Sequence, residues 1–227
     1  MESQEIRLNK FLAERLGMSR READDIIAAG KVLVNDKPAA LGARVDKTDK
    51  VCYNNSIVPF EAEFSYIAFN KPIGYVCSRR AQGDAPTIYD LLPENMKSLK
   101  TVGRLDKDSS GIILLTNDGD FAFEMTHPKF YKEKVYEVSL DRELAPLHQQ
   151  MISDFGVQLE DGMSKFMVVH EKGGRHELKV VLSEGRNRQI RRTFAALGYR
   201  VVKLHRIQFG KYGLSGLPES QWEKVRK

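Results

Sequence analysis

Cysteine is scarce in the 227 residues: Cys52 and Cys77 stand far apart, with no CxxC and no histidine cluster near either. That argues against a disulfide framework or a cysteine-based zinc ribbon and leaves two reduced thiols as the expectation. Long apolar runs are also lacking. The longest, such as residues 111–115, fall far short of the roughly 20 residues of a membrane span. The opening MESQEIRLNK mixes charges without an apolar stretch, unlike a signal peptide. The five histidines, His127, His148, His170, His176 and His205, show no HExxH or paired-ligand spacing, so no metal site is expected. Ser109-Ser110-Gly111 lacks the flanking glycine of a GxSxG elbow, there is no GxxxxGK[ST], and the Gly173-Gly174 pair carries no Rossmann fingerprint. Carboxylates, arginines and tyrosines remain, an inventory compatible with a cofactor-free reaction on a nucleic acid.

Acidic residues are missing from one region in particular. Residues 185–212 hold Arg186, Arg188, Arg191, Arg192, Arg200, Lys203, Arg206 and Lys211 and no Asp or Glu. The chain's net charge is +5, so the other 199 residues carry a net −3. A single-sign stretch of this kind points to a polyanionic partner, since solvated faces usually mix both signs.

The patterning divides the chain near residues 52–64. In residues 8–16 Leu8, Phe11, Leu12 and Leu16 follow helical spacing, and Gly17 is placed to end the helix. Ser19 to Glu22 reads as a capping box opening a second helix with Ala23, Ile26 and Ile27 on its buried face, stopped at Gly30. Residues 31–35 alternate like a strand and Asn35-Asp36-Lys37-Pro38 reads as a turn. Beyond the boundary, strands are expected at 66–69, 111–116, 134–140, 165–169 and 177–182, with helices at 120–126 and 186–197. This mixture lacks βαβ spacing and predicts an α+β domain on a mainly antiparallel, mixed sheet flanked by helices. The expected division is 1–60, a small αα-β module, and 61–227, a larger domain.

VGRLDKDSSGIILLTNDGDF, residues 102–121, places four aspartates around one apolar run. Asp118 fits a turn and Asp120 a helix N-cap. Asp106 and Asp108 lie in the loop entering the strand, a common place for catalytic groups, and the residues alone leave both open.

Two resemblances then apply. Arg7 to Asp36, RLNKFLAERLGMSRREADDIIAAGKVLVND, resembles the S4 RNA-binding module, which implies RNA contacts by Arg7, Lys10, Ser19, Arg20, Arg21 and Lys31. Charge alone does not say so, since residues 1–60 carry ten basic and nine acidic side chains. The remaining motifs are FNKPIG from Phe69, GRLDKDSSGIILLTNDG from Gly103, EKVYEV from Glu133, EGRNRQIRR from Glu184, Leu204-His-Arg206 and Phe209-Gly210. In that order they resemble the RsuA-type ribosomal pseudouridine synthases.

That resemblance implies isomerisation of a ribosomal RNA uridine, with Asp106 as the essential carboxylate acting at C1′ or C6. It implies Tyr136 stacked on a flipped base and serving in C5 deprotonation, Arg191 paired with the aspartate, and Arg104 as an active-site companion. Arg186, Arg188 and Arg192 are expected on phosphates, Lys71 as structural or RNA-facing, and Asp108 as loop structure. EGRNRQIRR leans towards the large-subunit (23S) members. The expectation is a cytoplasmic monomer without cofactor, metal or membrane contact, bound to a ribosomal RNA stem-loop and to pre-ribosomal particles. The competing expectation is an inactive RNA-binding or assembly protein on the same fold.

Overall fold

The computed structural model describes residues 5–61, 63–79, 83–171 and 174–227; Gly173 of the glycine pair and the side chain of His170 lie outside them. Residues 1–65, with 98–100 and 117–119, form one compact unit; 66–97, 101–116 and 120–227 form the other. Among the described residues no helix is long and apolar enough to cross a membrane.

In the first unit the helices Leu8–Arg15 and Arg20–Ala28 pack their apolar stripes together over the short strands Val32–Val34 and Val51–Tyr53. Gly17 and Gly30 take positive φ, +70° and +68°, where a Cβ would be strained, and both helices end just before them. Ser19 and Glu22 form the reciprocal capping box, a device worth about 1 kcal/mol.

The second unit is built on one twisted sheet. Seven strands run in the spatial order Met167–Glu171, Gly174–Leu182, Lys134–Leu140, Val201–Phe209, Ser110–Thr116, Tyr66–Lys71 and Trp222–Lys224. All neighbours are antiparallel except Val201–Phe209 and Ser110–Thr116, which meet parallel through His205–Ser110 and Arg206–Gly111. Ser110–Thr116 is buried at all seven positions, while Lys134–Leu140 alternates as a strand with one wet side. The parallel joint brings the backbones so close that a Cβ on Gly111 would lie 2.2 Å from the Arg206 carbonyl oxygen.

Three local expectations are corrected. The strand expected at 165–169 runs Met167–Glu171. The helix expected from Arg186 begins at Gln189, because Arg188 adopts a left-handed φ of +46° that no helix continues through. Its Ile190 and Phe194 are buried, each contributing about 1.5–3 kcal/mol. Asp120 is no N-cap: the helix Gly119–Thr126 already contains it, and Asp118, 4% exposed, immediately precedes the first turn.

Candidate active site

The loop 104–109 is held from below by the turn that follows Tyr66–Lys71. Lys71 is wholly buried, and its ammonium donates to the carbonyls of Pro72, Asp106 and Ser109 at 2.9, 3.1 and 2.6 Å. Burial holds its pKa below the usual lysine value, while the three carbonyls satisfy its protons. The Gly74 amide donates to Lys107 O at 2.8 Å, and Leu105 N to Cys77 Sγ at 3.4 Å. Burial pushes the Cys77 thiol up, and both cysteines are free. Lys71 is thus structural, the first of its two expected roles: it fixes the backbone of the loop that carries Asp106.

Asp106 and Asp108 leave this loop in different surroundings. Asp108 accepts from both terminal nitrogens of Arg188, at 2.9 and 2.8 Å, and lies 3.3 Å from Arg191 Nε. The bond to Arg188 holds its carboxyl below the ordinary range and raises the guanidinium in turn. Asp106 has one ion pair among the described residues, to Arg188 at 3.6 Å, with its side chain 35% exposed.

This departs from the expected pairing. Arg191 meets Asp108 rather than Asp106: its terminal nitrogens donate to the carbonyls of Asp108 (2.7 Å) and Val201 (2.9 Å). The cause is the late start of the helix Gln189–Ala196, which leaves Arg188 in the preceding loop, beside both carboxylates. Asp108 is therefore more than loop structure; it gathers two arginines at the edge of the site.

A cavity of about 320 Å³ opens beside Asp106, within the size range of small-ligand pockets. Arg104, Asp106, Tyr136, Arg186, Arg188 and Arg206 are among its lining residues. Tyr136, 8% exposed, sits in the strand Lys134–Leu140 and Arg104 is exposed at the rim. Sequence reasoning placed Arg206 only in the basic stretch and, like Phe209, in a family motif, and gave Lys134 no role; all three line the cavity. Strand alternation would have put Arg206 and Phe209 on opposite sides. The bulge between Val135 and Tyr136 aligns them; in the sequence, residues 200–209 show only a broken alternation, which leaves their side-chain directions open.

The other arginines are less free than the stretch 185–212 suggests. Arg186 is spent on Asp161, Gly162 and Met163, with four hydrogen bonds. Arg192 forms a bidentate pair with Asp161 at 3.0 and 2.7 Å, and Lys203 meets Glu137 at 3.1 Å. Carboxylates from other strands and turns thus offset part of the charge. Phosphate contact by Arg186 or Arg192 would have to displace Asp161.

In the first unit Arg7, Arg20 and Arg21 are exposed. Arg20 donates to Asn9, which itself holds Asp24, and Lys10 lies 3.9 Å from Glu14. Ser19 is occupied as the helix cap. Lys31 follows the opposite end of the helix Arg20–Ala28, so it does not join Arg20 and Arg21.

The family model described as RNA pseudouridylate synthase matches residues 65–196, and the S4 domain model matches residues 6–51. The chain belongs to the RNA pseudouridylate synthase family, with an S4 domain ahead of its catalytic domain. It is an isomerase of that family. It is 36% identical over 223 residues to ribosomal small subunit pseudouridine synthase A of Pasteurella multocida (strain Pm70), covering 97% of this chain and 96% of that one. It is 35% identical over 231 residues to ribosomal large subunit pseudouridine synthase B of Escherichia coli (strain K12), covering 96% of this chain and 79% of that one. A crystal structure of a pseudouridylate synthase superposes with a TM-score of 0.69 at 30% identity, covering 97% and 96% of the two chains. In this pseudouridine synthase, the loop carrying Asp106 and the strand carrying Tyr136 border one cavity.

Proposed function

We propose that the enzyme converts one uridine of ribosomal RNA to pseudouridine, with Asp106 as the reacting carboxylate and Tyr136 against the base. The observation that carries this reading is the cavity beside Asp106. It holds two partly exposed carboxylates, Asp106 and Glu184, a buried tyrosine and several arginines, and it is large enough for a nucleobase withdrawn from its stack. The reaction breaks N1–C1′, turns the uracil, joins C5 to C1′, and moves a proton from C5 to N1. A carboxylate beside the sugar can meet the positive charge that develops at C1′ or bond to that carbon, as in glycosyl transfer. Tyr136 covers the base and can carry the C5 proton. Arg188 is the cation facing Asp106. Arg191 acts as a positioning residue through the Asp108 carbonyl.

Arg7, Lys10, Arg20 and Arg21 would contact phosphates of a structured stem-loop, on naked RNA or on a pre-ribosomal particle, with the protein acting as a cytoplasmic monomer. Large-subunit RNA is favoured by EGRNRQIRR alone, because relatives of either name are 35 or 36% identical. The inactive assembly-protein alternative is opposed by the intact GRLD, KVY and RQIRR motifs around an open cavity.

The test is tritium release from unmodified ribosomal RNA transcripts labelled with 5-tritiated uridine. Release that saturates at one equivalent per RNA is expected; no release above background from folded protein would sink the reading. Carbodiimide mapping of RNA with and without the gene then locates the uridine and decides between the subunits.

A further inference from the structure

Arg206 is 2% exposed, at the centre of the sheet. It is the register partner of Tyr136 on one side and of Gly111 on the other. Paired residues on adjacent strands present their side chains to the same face, so Arg206 stands beside Tyr136. The bulge in this pairing adds Lys134 and Phe209, themselves register partners, to the same face. Lys134, Tyr136, Arg206 and Phe209 make one wall of the cavity that holds Asp106.

The guanidinium is incompletely satisfied. Its Nε donates to Ile112 O at 2.8 Å, and its carbon lies 4.8 Å from the Phe209 ring centre and 6.0 Å from that of Tyr136. One terminal nitrogen, Nη2, is buried without a hydrogen-bond partner among the described residues, and among them no carboxylate forms an ion pair with this side chain. Burying a cation without its anion costs several kcal/mol, and buried unsatisfied donors are rare enough to call for an explanation. The Lys134 ammonium lies 5.4 Å from the same Phe209 ring, so two cations approach one aromatic surface within the cavity. Burial and the neighbouring Arg206 charge bring Lys134 down to about 8. Glu184, which also lines the cavity, acts on Lys134, is bonded to Gln189 and lies close to Arg186, so among the described residues no carboxylate is paired with Arg206.

We propose that Arg206 binds a carbonyl oxygen of the target uracil and stabilises the negative charge the base acquires as its bond to the ribose breaks. The inference rests on the pseudouridine synthase reading. When N1–C1′ breaks, the electron pair stays on N1 and is shared with O2 and O4. The ring then turns, C5 bonds to C1′, the C5 proton leaves, and N1 takes up a proton. No group is gained or lost overall. Asp106 meets the sugar's positive charge and Arg206 the base's negative charge, so the two separate the charges of one bond cleavage. A fixed donor in dry surroundings, aimed where charge develops, is the kind of group whose removal costs about 100–1,000-fold in rate.

The experiment is single-turnover tritium release from 5-tritiated ribosomal RNA, with RNA affinity measured separately by filter binding. Arg206→Ala is expected to slow release by about 100-fold or more with RNA affinity unchanged. Guanidinium chloride at a non-denaturing concentration should restore part of the rate, where the same concentration of sodium chloride does not. Arg206→Lys should turn over at low pH and lose activity as pH rises through the pKa of the new amine, a profile the wild type lacks. A role confined to holding the Ile112 carbonyl would leave both guanidinium rescue and that pH profile absent. An Arg206→Ala rate equal to wild type overturns the proposal. So does an Arg206→Lys profile that parallels the wild type, which decides the matter if the alanine variant does not fold. Wild-type protein that releases no tritium would instead remove the activity on which the inference rests.

Discussion

The Asp108 carboxylate accepts hydrogen bonds from both terminal nitrogens of Arg188, across 80 residues of chain. This pair, with Arg191 at 3.3 Å, anchors the outer side of the loop whose inner side Lys71 fixes. Asp108→Asn should free Arg188 for RNA. We expect affinity to hold or tighten and the salt dependence to steepen by about one phosphate contact. Turnover should fall by about 10–100-fold as the Asp106 loop shifts. Because Arg188 depresses the Asp108 pKa, the pair's stabilisation is present above the unfolded value near 3.8 and is lost as pH falls through the folded value. The pair is half exposed, so that contribution is below about 1 kcal/mol. Urea melts of wild type and variant should differ at pH 7 and converge at strongly acidic pH.

Gly111 lets the parallel joint close. A Cβ there would meet the Arg206 backbone at 2.2 Å, at a φ of +109°. Gly111→Ala should cost about 4 kcal/mol or more, or prevent folding. Gly74→Ala, also at positive φ but with nothing within 4 Å of its Cβ, should cost only about 1–3 kcal/mol of backbone strain. Equal costs in chemical denaturation would show that the close approach is not what demands glycine at 111.

Lys134 should titrate near 8 in the folded protein, against 10.5 for an ordinary lysine. Burial is the main cause and the Arg206 charge the next, so Arg206→Gln should raise it. Resonances of isotope-labelled, methylated lysines followed against pH would read both values. Between about 8 and 10.5 the unfolded chain holds a proton that the folded one has lost, so this group's contribution to stability rises with pH across that window.

Much of this was legible locally. Gly17, Gly30 and the Ser19–Glu22 box mark helix ends through backbone freedom and capping, which act within a few residues. The alternation of Tyr136, Val138 and Leu140 with Glu137 and Ser139 marks a strand and one face of the site. What stayed hidden depends on distant partners. Nothing near Arg186 or Arg192 announces Asp161, and nothing near Arg191 announces that Asp108 would take it from Asp106. The bulge that turns Arg206 towards Tyr136 arises from pairing between strands some 70 residues apart, beyond the reach of a local pattern.

The most direct measurement of the central claim compares Asp106→Asn with wild type on 5-tritiated ribosomal RNA. The substitution keeps size and shape and removes the charge. The account predicts release reduced by more than about 10⁴-fold, with RNA affinity and unfolding midpoint close to wild type. An Asp106→Asn variant that releases tritium at the wild-type rate would contradict it.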